Sequence, residues 1–243
     1  MPLVAQQEID LPEAAAHHAH RVLRLKVGDA LTVFNGLGGE YPAKIVGASR
    51  HVRVLLGEQI ERERESPLNI TLVQGLPASD KMDWIIQKAV ELGVSRIVPL
   101  AATRSVVRLS GDRALRRVEH WQSVAVSACE QCGRNRVPKI EPLFEMRSWL
   151  AQLPKAADSK SETRLLFSPE GKQRLSEFCS PAILGASANI VLLIGPEGGL
   201  TAEEELAAQT VGFQAVLLGP RILRTETAGL AALAALAALV GEF

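Results

Sequence analysis

The sequence has little of what would place a protein outside the cell or in a membrane. It contains only three cysteines, an odd number that does not build a disulfide framework, so we expect a reducing environment. The N-terminus lacks the basic segment and apolar core of a secretion signal. The most apolar segment, 228–240, is too short to cross a bilayer. We therefore expect a cytoplasmic protein with no membrane partner.

An excess of charge and the common nucleotide and metal motifs are also absent. The 27 basic and 27 acidic residues leave no net charge, so total charge gives no argument for nucleic-acid binding. No GxxxxGKS or GxxxxGKT motif occurs, which argues against ATP hydrolysis by a P-loop. Cys129 and Cys132 form a CxxC pair at the end of a helical pattern, without the second pair that structural zinc usually requires. We expect no metal.

The residues that are present are typical of a globular protein, and their pattern indicates two domains. Hydrophobic residues make up 47% of the chain and charged residues 22%, which allows a sizeable core. Residues 1–66 are predicted to form a small β-rich barrel or sandwich, which a charged tract ending at Pro67 separates from the rest. Its predicted elements are a helix over 13–26 and strands over 30–35, 41–48 and 51–60, with a hairpin at 36–39.

Residues 67–243 have a different pattern from residues 1–66, because strand-like apolar runs alternate with helical patterns. Ser79 and Asp80 are both suited to cap the first helix, and Gly93 to end it. The predicted strands are 70–74, 96–100, 164–168, 189–194 and 214–218. The later helices are predicted over 112–132, 146–153 and 228–240, with a polar loop over 154–163. This alternation predicts an α/β fold with a mostly parallel sheet.

A glycine-rich loop follows the most apolar predicted strand. Residues 189–194 form a continuous apolar run, the pattern of a strand buried on both faces. The loop 195–199 contains three glycines, whose backbone amides can approach a ligand closely. Thr201 and Glu204 have the spacing of a capping box, so a helix begins directly after the loop. A strand, a bare loop and a helix start predict a ligand site, and the alternative is a tight turn without a ligand.

A second loop of this kind favours the ligand site. Residues 214–218 are another short apolar strand, followed by a loop over 219–228 and the Ala/Leu-rich helix. A third possible loop, 169–171, ends the strand over 164–168. Because parallel strands point their carboxyl ends to one edge of the sheet, these loops are expected to form one slot.

Basic residues are clustered locally although the whole chain is neutral. The clusters contain Arg104, Arg108, Arg113, Arg116, Arg117, Arg134, Arg136 and Lys139. Such clusters can contact phosphates even when acidic faces elsewhere cancel the total charge. A solvated helix face is an equally good interpretation of the clustering alone.

The two loops resemble the cofactor loops of the SPOUT methyltransferases. Together with 81–94 and 128–138, they resemble the bacterial 16S ribosomal RNA (uracil-N3)-methyltransferase family. Residues 20–36 are similar to the small N-terminal PUA-like barrel of that family. The resemblance runs from about residue 17 to the end of the chain. One departure is that residues 1–10 contain no arginine, whereas the family usually opens with an arginine-containing strand.

The resemblance implies a fold, a reaction and partners. The implied fold is a PUA-like barrel over 1–66 and a SPOUT domain over 67–243, in which the C-terminal helix closes a trefoil knot. The implied methyl donor is S-adenosylmethionine, with S-adenosylhomocysteine as product. The implied substrate is one uridine of 16S ribosomal RNA in the small subunit. The family consists of homodimers whose active site uses both subunits.

The resemblance also implies site residues. The expected cofactor residues are Phe167, Ile194, Gly195, Pro196, Glu197, Gly198, Gly199, Leu218, Gly219, Ile222, Leu223, Arg224, Thr225, Thr227 and Ala228. Because N3 of uracil must lose its proton, the site needs a cation or a base. Arg134 is our choice to stabilise the anion, and Glu130 or Glu226 to assist the proton transfer. The expected RNA contacts are Arg21, Arg24, Arg104, Arg108 and Arg136.

Two rival functions fit parts of the sequence. The barrel and the arginine clusters also suit a non-catalytic RNA-binding module. An α/β enzyme with a nucleotide cofactor is the other rival. The glycines over 36–39 lie within a hairpin pattern and not between a strand and a helix, so they do not form a dinucleotide fingerprint.

Overall fold

The computed structural model describes residues 2–48, 51–154, 162–178 and 189–243. The chain divides into two compact units. The first consists of Met1–Arg64 and Gly133–Val137, and the second of Glu65–Cys132 and Pro138–Phe243. The predicted division after residue 66 did not include the short later segment in the first unit.

The first unit is an antiparallel four-stranded sheet with the strand order β1-β4-β3-β2. Its elements are β1 (Glu8–Asp10), α1 (Glu13–His17), a π-helical turn (His18–Val22), β2 (Ala30–Val33), β3 (Tyr41–Ala48) and β4 (Val52–Leu56). Along β3, buried and exposed residues alternate, so that one face packs on the core of this unit. The predicted helix over 13–26 ends earlier, since Arg24 has a left-handed φ of 56°.

The segment Gly133–Val137 completes the first unit through backbone hydrogen bonds. The N–H of Val137 donates to the Gly36 carbonyl oxygen at 3.1 Å, and the N–H of Gly38 donates to the Asn135 carbonyl oxygen at 3.1 Å. These partners are 101 and 97 residues apart along the sequence. Pattern reasoning, which is local, had no means of pairing them.

The second unit is built on one parallel sheet in which β9, β11 and β5 are central. Its strand order is β10-β12-β9-β11-β5-β6-β7, and β8 also pairs with β6. Its strands are β5 (Asn69–Gly75), β6 (Arg96–Ala101), β7 (Lys139–Ile140), β8 (Phe144–Glu145), β9 (Glu162–Phe167), β10 (Gln173–Arg174), β11 (Asn189–Ile194) and β12 (Gln214–Leu217). The prediction of a parallel α/β sheet is therefore confirmed.

The helices of the second unit cover this sheet. They are α2 (Lys81–Glu91), α3 (Gly111–Cys132), α4 (Met146–Gln152), α5 (Leu175–Phe178), α6 (Ala202–Thr210) and α7 (Thr225–Leu239). The predicted side-chain cap of α2 is wrong. Asp80 occupies the N-cap position, but its carboxylate accepts a hydrogen bond from Arg117 at 2.9 Å, and Ser79 has a left-handed φ of 58°. Most of the loop predicted over 154–163 lies outside the described residues.

The C-terminal helix α7 returns across the sheet from its edge. It follows β12 in sequence, yet packs against β5, β11 and α2. Gly229 permits this close crossing, because a Cβ there would lie 3.1 Å from the Leu72 side chain and 3.5 Å from that of Ile194. Among the described residues, no helix is both long enough and apolar enough to span a membrane.

Candidate cofactor site

Three loops leave the sheet of the second unit at the carboxyl ends of neighbouring strands. Strand β9 pairs in parallel with both β11 and β12, so all three strands point the same way. The loops over 168–171, 195–199 and 218–224 therefore meet at one edge of the sheet. In open α/β sheets this edge is where ligands bind.

A pocket of about 130 Å³ opens between the loops that follow β9 and β12 and the first turn of α7. This volume is below the range of roughly 300–1,000 Å³ that is usual for small-molecule sites. The pocket is lined by Phe167, Ser168, Pro169, Val216, Leu217, Leu218, Gly219, Pro220, Arg221, Ile222, Leu223 and Ala228. Aliphatic side chains and backbone groups thus supply most of its wall, which suits a flat apolar ring held by backbone hydrogen bonds.

Half of these lining residues are among the predicted cofactor residues. Those expected as cofactor residues are Phe167, Leu218, Gly219, Ile222, Leu223 and Ala228. Those missed are Ser168, Pro169, Val216, Leu217, Pro220 and Arg221. The signal for Pro169 was present as the third possible loop. Arg221 was missed because a lone exposed arginine in a loop has no pattern of its own.

Gly219 keeps one wall of the pocket open. Its φ of 80° is left-handed, and a Cβ at this position would meet no atom within 4 Å. An added side chain would therefore project into open space beside the pocket, with strain in the backbone. The backbone at this position is accessible to a ligand, as expected for a cofactor loop.

The glycine loop over 195–199 is tied to the start of α7 next to this pocket. The hydroxyl of Thr225, the first residue of α7, donates to the Gly195 carbonyl oxygen at 2.6 Å. Thr225 is only 6% exposed, so water does not compete strongly for this bond. The structure thus brings the two predicted loops together.

Glu197 anchors the tip of the glycine loop through its charge. Its carboxylate accepts hydrogen bonds from the N–H of Ala78 at 3.0 and 3.1 Å and from Lys81 Nζ at 3.0 Å. Lys81 Nζ also donates to Glu226 Oε2 at 3.3 Å. One ammonium group therefore links the glycine loop to α7.

These contacts shift the ionisation of both partners. Burial opposes ionisation of Glu197, but hydrogen bonds from Lys81 and from the backbone N–H groups of Glu197 and Ala78 outweigh it, and the pKa falls below the ordinary 4.5. The hydrogen bond to Glu197 is the main cause that raises the pKa of Lys81 above its ordinary 10.5, against a smaller opposing effect of burial. The pair is therefore charged throughout the neutral range.

Arg104 holds the glycine loop from the opposite side. Its Nη1 donates to the carbonyl oxygen of Gly198 at 3.0 Å and to that of Leu200 at 3.2 Å. Arg108 is similarly engaged, with Nη2 donating to the Thr103 carbonyl oxygen at 2.7 Å. Both arginines are predicted to contact phosphates, and some of their donors bond backbone carbonyl groups in the structure.

Glu204 joins the start of α6 to the loop after β6. The predicted capping box is confirmed, since the N–H of Thr201 donates to Glu204 Oε2 at 2.8 Å and the N–H of Glu204 donates to Thr201 Oγ1. The other carboxylate oxygen, Oε1, accepts from the N–H of Thr103 at 2.8 Å. Glu204 is 4% exposed. Sequence reasoning found the cap but not this second contact.

The remaining expected cofactor residues do not line the pocket. They are Ile194, Gly195, Pro196, Glu197, Gly198, Gly199, Arg224, Thr225 and Thr227. Ile194 and Pro196 are buried, whereas Arg224 and Thr227 are exposed. The glycine loop thus lies beside the pocket and is bonded to the start of α7 through Thr225.

The three expected catalytic side chains lie in different settings. Arg134 belongs to the first unit and is 5% exposed. Glu130 is exposed in the last turn of α3. Glu226 is engaged by Lys81, and its Oε1 lies 4.0 Å from Arg224 Nη1. Glu226 therefore has a structural partner, whereas Glu130 faces solvent.

The other expected RNA contacts lie in the first unit. Arg21, within the π-helical turn, and Arg24, just after it, are exposed. Arg136 is exposed as well, but its Nη1 donates to the Leu37 carbonyl oxygen at 2.8 Å and its Nε lies 3.2 Å from Glu63 Oε2. Within the described ranges, no group of three or more His, Cys, Asp or Glu residues is placed to hold a metal ion.

Both units match known protein domains. Residues 64–237 match the model of an RNA methyltransferase domain, and residues 11–55 match that of an RNA methyltransferase PUA domain. Ribosomal RNA small subunit methyltransferase E of Bacillus subtilis is 35% identical, covering 90% of this chain and 86% of the relative. The protein of that name from Buchnera aphidicola subsp. Schizaphis graminum is 34% identical, covering 99% of this chain and 94% of the relative.

A solved structure shows the same fold. Ribosomal RNA small subunit methyltransferase E from Neisseria gonorrhoeae, bound to S-adenosyl methionine, is 41% identical and superposes with a TM-score of 0.90 over 100% of this chain and 96% of that one. The second unit thus has the SPOUT methyltransferase fold and the first is PUA-like, as predicted. From its sequence matches and its structure together, the chain belongs to the ribosomal RNA small subunit methyltransferase E family.

Proposed function

We propose that this protein is an S-adenosylmethionine-dependent methyltransferase that modifies N3 of one uridine in 16S ribosomal RNA. The observation that carries the proposal is the apolar pocket between the loops at the carboxyl edge of the sheet. It lies within the part of the chain that matches the RNA methyltransferase domain. The structure of the relative from Neisseria gonorrhoeae was solved with S-adenosyl methionine bound.

The residues present fit this cofactor. Leu218, Ile222, Leu223 and Ala228 line a slot suited to an adenine ring, and the open backbone at Gly219 offers hydrogen-bonding groups beside it. When bound, S-adenosylmethionine supplies a methyl group activated by its sulfonium. The contribution of the protein is to hold donor and acceptor in line, which lowers the entropic part of the barrier.

The acceptor atom sets the remaining requirement. N3 of uracil carries a proton that must leave for the nitrogen lone pair to attack, and the developing anion needs a cation close by. We assign this stabilisation to Arg134, whose burial strengthens its field. Of the two carboxylates expected to assist, Glu130 is the better candidate for proton transfer, because Glu226 is engaged by Lys81.

RNA binding and assembly complete the proposal. The exposed Arg21 and Arg24 in the PUA-like unit, with Arg104, Arg108 and Arg136, are assigned to phosphate contacts. We further propose a homodimer that acts on the small ribosomal subunit in the cytoplasm. Exposed apolar side chains on the mutually packed helices α2 and α7, such as Trp84 and Leu239, support a subunit contact there.

The test is methylation of small-subunit particles that lack the modification, with the product nucleoside identified by mass spectrometry. The wild-type protein is expected to form N3-methyluridine, and Arg134→Ala to lose most of this activity while still binding S-adenosylmethionine. Arg147→Ala, at an exposed position of α4, is the control. Full activity of Arg134→Ala would remove that assignment. Particles that are bound but never methylated by the wild type would favour the non-catalytic alternative.

A further inference from the structure

A buried glutamine lies beneath both loops of the site. Gln74, the residue before the last in β5, is 0% exposed. Its Nε2 donates to the Gly75 carbonyl oxygen at 3.0 Å and to Thr225 Oγ1 at 2.9 Å. Thr225 in turn donates to the Gly195 carbonyl oxygen. A relay of hydrogen bonds thus runs from the central strand through the first residue of α7 to the glycine loop.

The direction of this relay follows from its end groups. The Gly75 carbonyl oxygen can only accept, so the atom of the Gln74 amide that faces it must be the nitrogen. That nitrogen has two hydrogens, and the second points to the Thr225 oxygen. Because Thr225 receives this hydrogen, its single hydroxyl hydrogen is free for the Gly195 carbonyl oxygen. Each member therefore fixes the orientation of the next.

The oxygen of the Gln74 amide shows which part of the side chain serves the site. In the part of the chain that the structure describes, Gln74 Oε1 is buried without a hydrogen-bond partner. An unpaired acceptor in a core is costly, and an aliphatic side chain would avoid that cost. The two amide N–H groups, which bond Gly75 and Thr225, are therefore the reason for a glutamine at this position.

We propose that Gln74 is a positioning residue for the methyl-donor site, acting through Thr225. The relay sets the distance between the glycine loop and the first turn of α7, and Ala228 in that turn lines the pocket. Without it, the glycine loop and α7 lose a link that adds to the Lys81 bridge, and the first turn of α7, which carries Ala228 into the pocket lining, is held less firmly. This inference rests on the proposed binding of S-adenosylmethionine.

The test compares S-adenosylmethionine affinity, by titration calorimetry, in variants of the full-length protein. Thr225→Val removes the hydroxyl at nearly constant volume, and Gln74→Met removes the amide donors. Both are expected to weaken binding about tenfold and to raise the KM for the cofactor, with the KM for ribosomal particles unchanged. Thr225→Ser keeps the hydroxyl and is expected to retain wild-type affinity.

A matched control shows whether the loss of any threonine hydroxyl would weaken binding. The hydroxyl of Thr210 donates to the Leu206 carbonyl oxygen at an exposed position of α6, so Thr210→Val is expected to bind as the wild type does. Wild-type affinity in folded Gln74→Met or Thr225→Val would overturn the relay, as would a tenfold loss in Thr225→Ser. Failure of the wild type itself to bind S-adenosylmethionine would instead overturn the proposed function.

Discussion

Replacing Gly75 by alanine should displace the glycine loop without disturbing the rest of the sheet. Gly75 ends β5, directly beneath the loop. An added Cβ would lie 2.6 Å from Pro196 N, 2.8 Å from Pro196 Cδ and 2.9 Å from the Gly195 carbonyl carbon. These neighbours are backbone and ring atoms, which cannot rotate away as a flexible side chain would.

The size of the displacement follows from these distances. Ordinary contacts of a Cβ begin at 3.4 Å, so the loop must retreat by roughly 0.8 Å from the Pro196 nitrogen. Overpacking of this kind costs roughly 1–3 kcal/mol of stability. A misplacement of about 1 Å in a catalytic site costs on the order of 100-fold in rate. We therefore expect Gly75→Ala to lower kcat/KM about 10- to 100-fold in a protein that still folds.

The assay is methylation kinetics on small-subunit particles, with thermal unfolding measured in parallel. Gly47→Ala in β3 is the matched control, because its added Cβ would lie 3.6 Å from Arg53 Cβ, an ordinary contact. This control should keep its activity. Wild-type kcat/KM in Gly75→Ala would show that the position of the loop does not limit the reaction, and would refute the reasoning.

Three further predictions concern the charged groups around the same loop. Lys81→Met leaves Glu197 and Glu226 without their shared cation and should weaken S-adenosylmethionine binding severalfold in calorimetry, whereas Lys88→Met on the same helix should not. Because the pKa of Glu197 is lowered, its ion pair is complete above pH 4.5 and is lost as the pH falls through the lowered value. Because the pKa of Lys81 is raised, its ion pair is complete below pH 10.5 and is lost as the pH rises through the raised value. Cofactor affinity measured against pH should therefore be flat between these limits, and Glu197→Gln should remove the acid decline; an equally steep decline in that variant would contradict it. Glu204→Gln leaves one acceptor for two backbone donors and should cost roughly 1–3 kcal/mol in thermal denaturation, so an unchanged midpoint would count against the second contact.

The parts of the fold that sequence predicted are those fixed by local pattern. The apolar run over 189–194 became β11 with the same bounds, and Thr201 with Glu204 formed the capping box. Both features depend on residues within a few positions of each other. The family was also found from contiguous motifs, and the comparisons confirm it.

The parts that sequence missed depend on contacts between distant positions. Gln74 and Thr225 are 151 residues apart, and Arg104 and Gly198 are 94 apart. An arginine cluster looks the same in a sequence whether its guanidinium groups face phosphates or carbonyl oxygens. The cap predicted at Asp80 failed for the same reason, because Arg117 on the neighbouring helix competes for its carboxylate.

The glycine loop beside the pocket and the residues that line the pocket are held in different ways, which gives a last prediction. The glycine loop is tethered by the loop after β5, by α2, by α7 and by the loop after β6, so substitutions there act through its position. Ile222 lines the pocket and is 83% exposed. Its side chain therefore contributes little to folding, and we expect a ligand in the slot to cover it.

Ile222→Ala should therefore separate cofactor contact from protein stability. At about 25 cal/mol per Å² of apolar surface removed from water, losing most of this side chain costs roughly 1–2 kcal/mol of binding, or about tenfold in affinity. The unfolding midpoint should stay unchanged, because no core contact is lost. Leu206→Ala, which is 65% exposed on α6 and outside the pocket lining, is the control. A fall in stability without a change in affinity would mean that Ile222 packs against the protein and does not face the ligand.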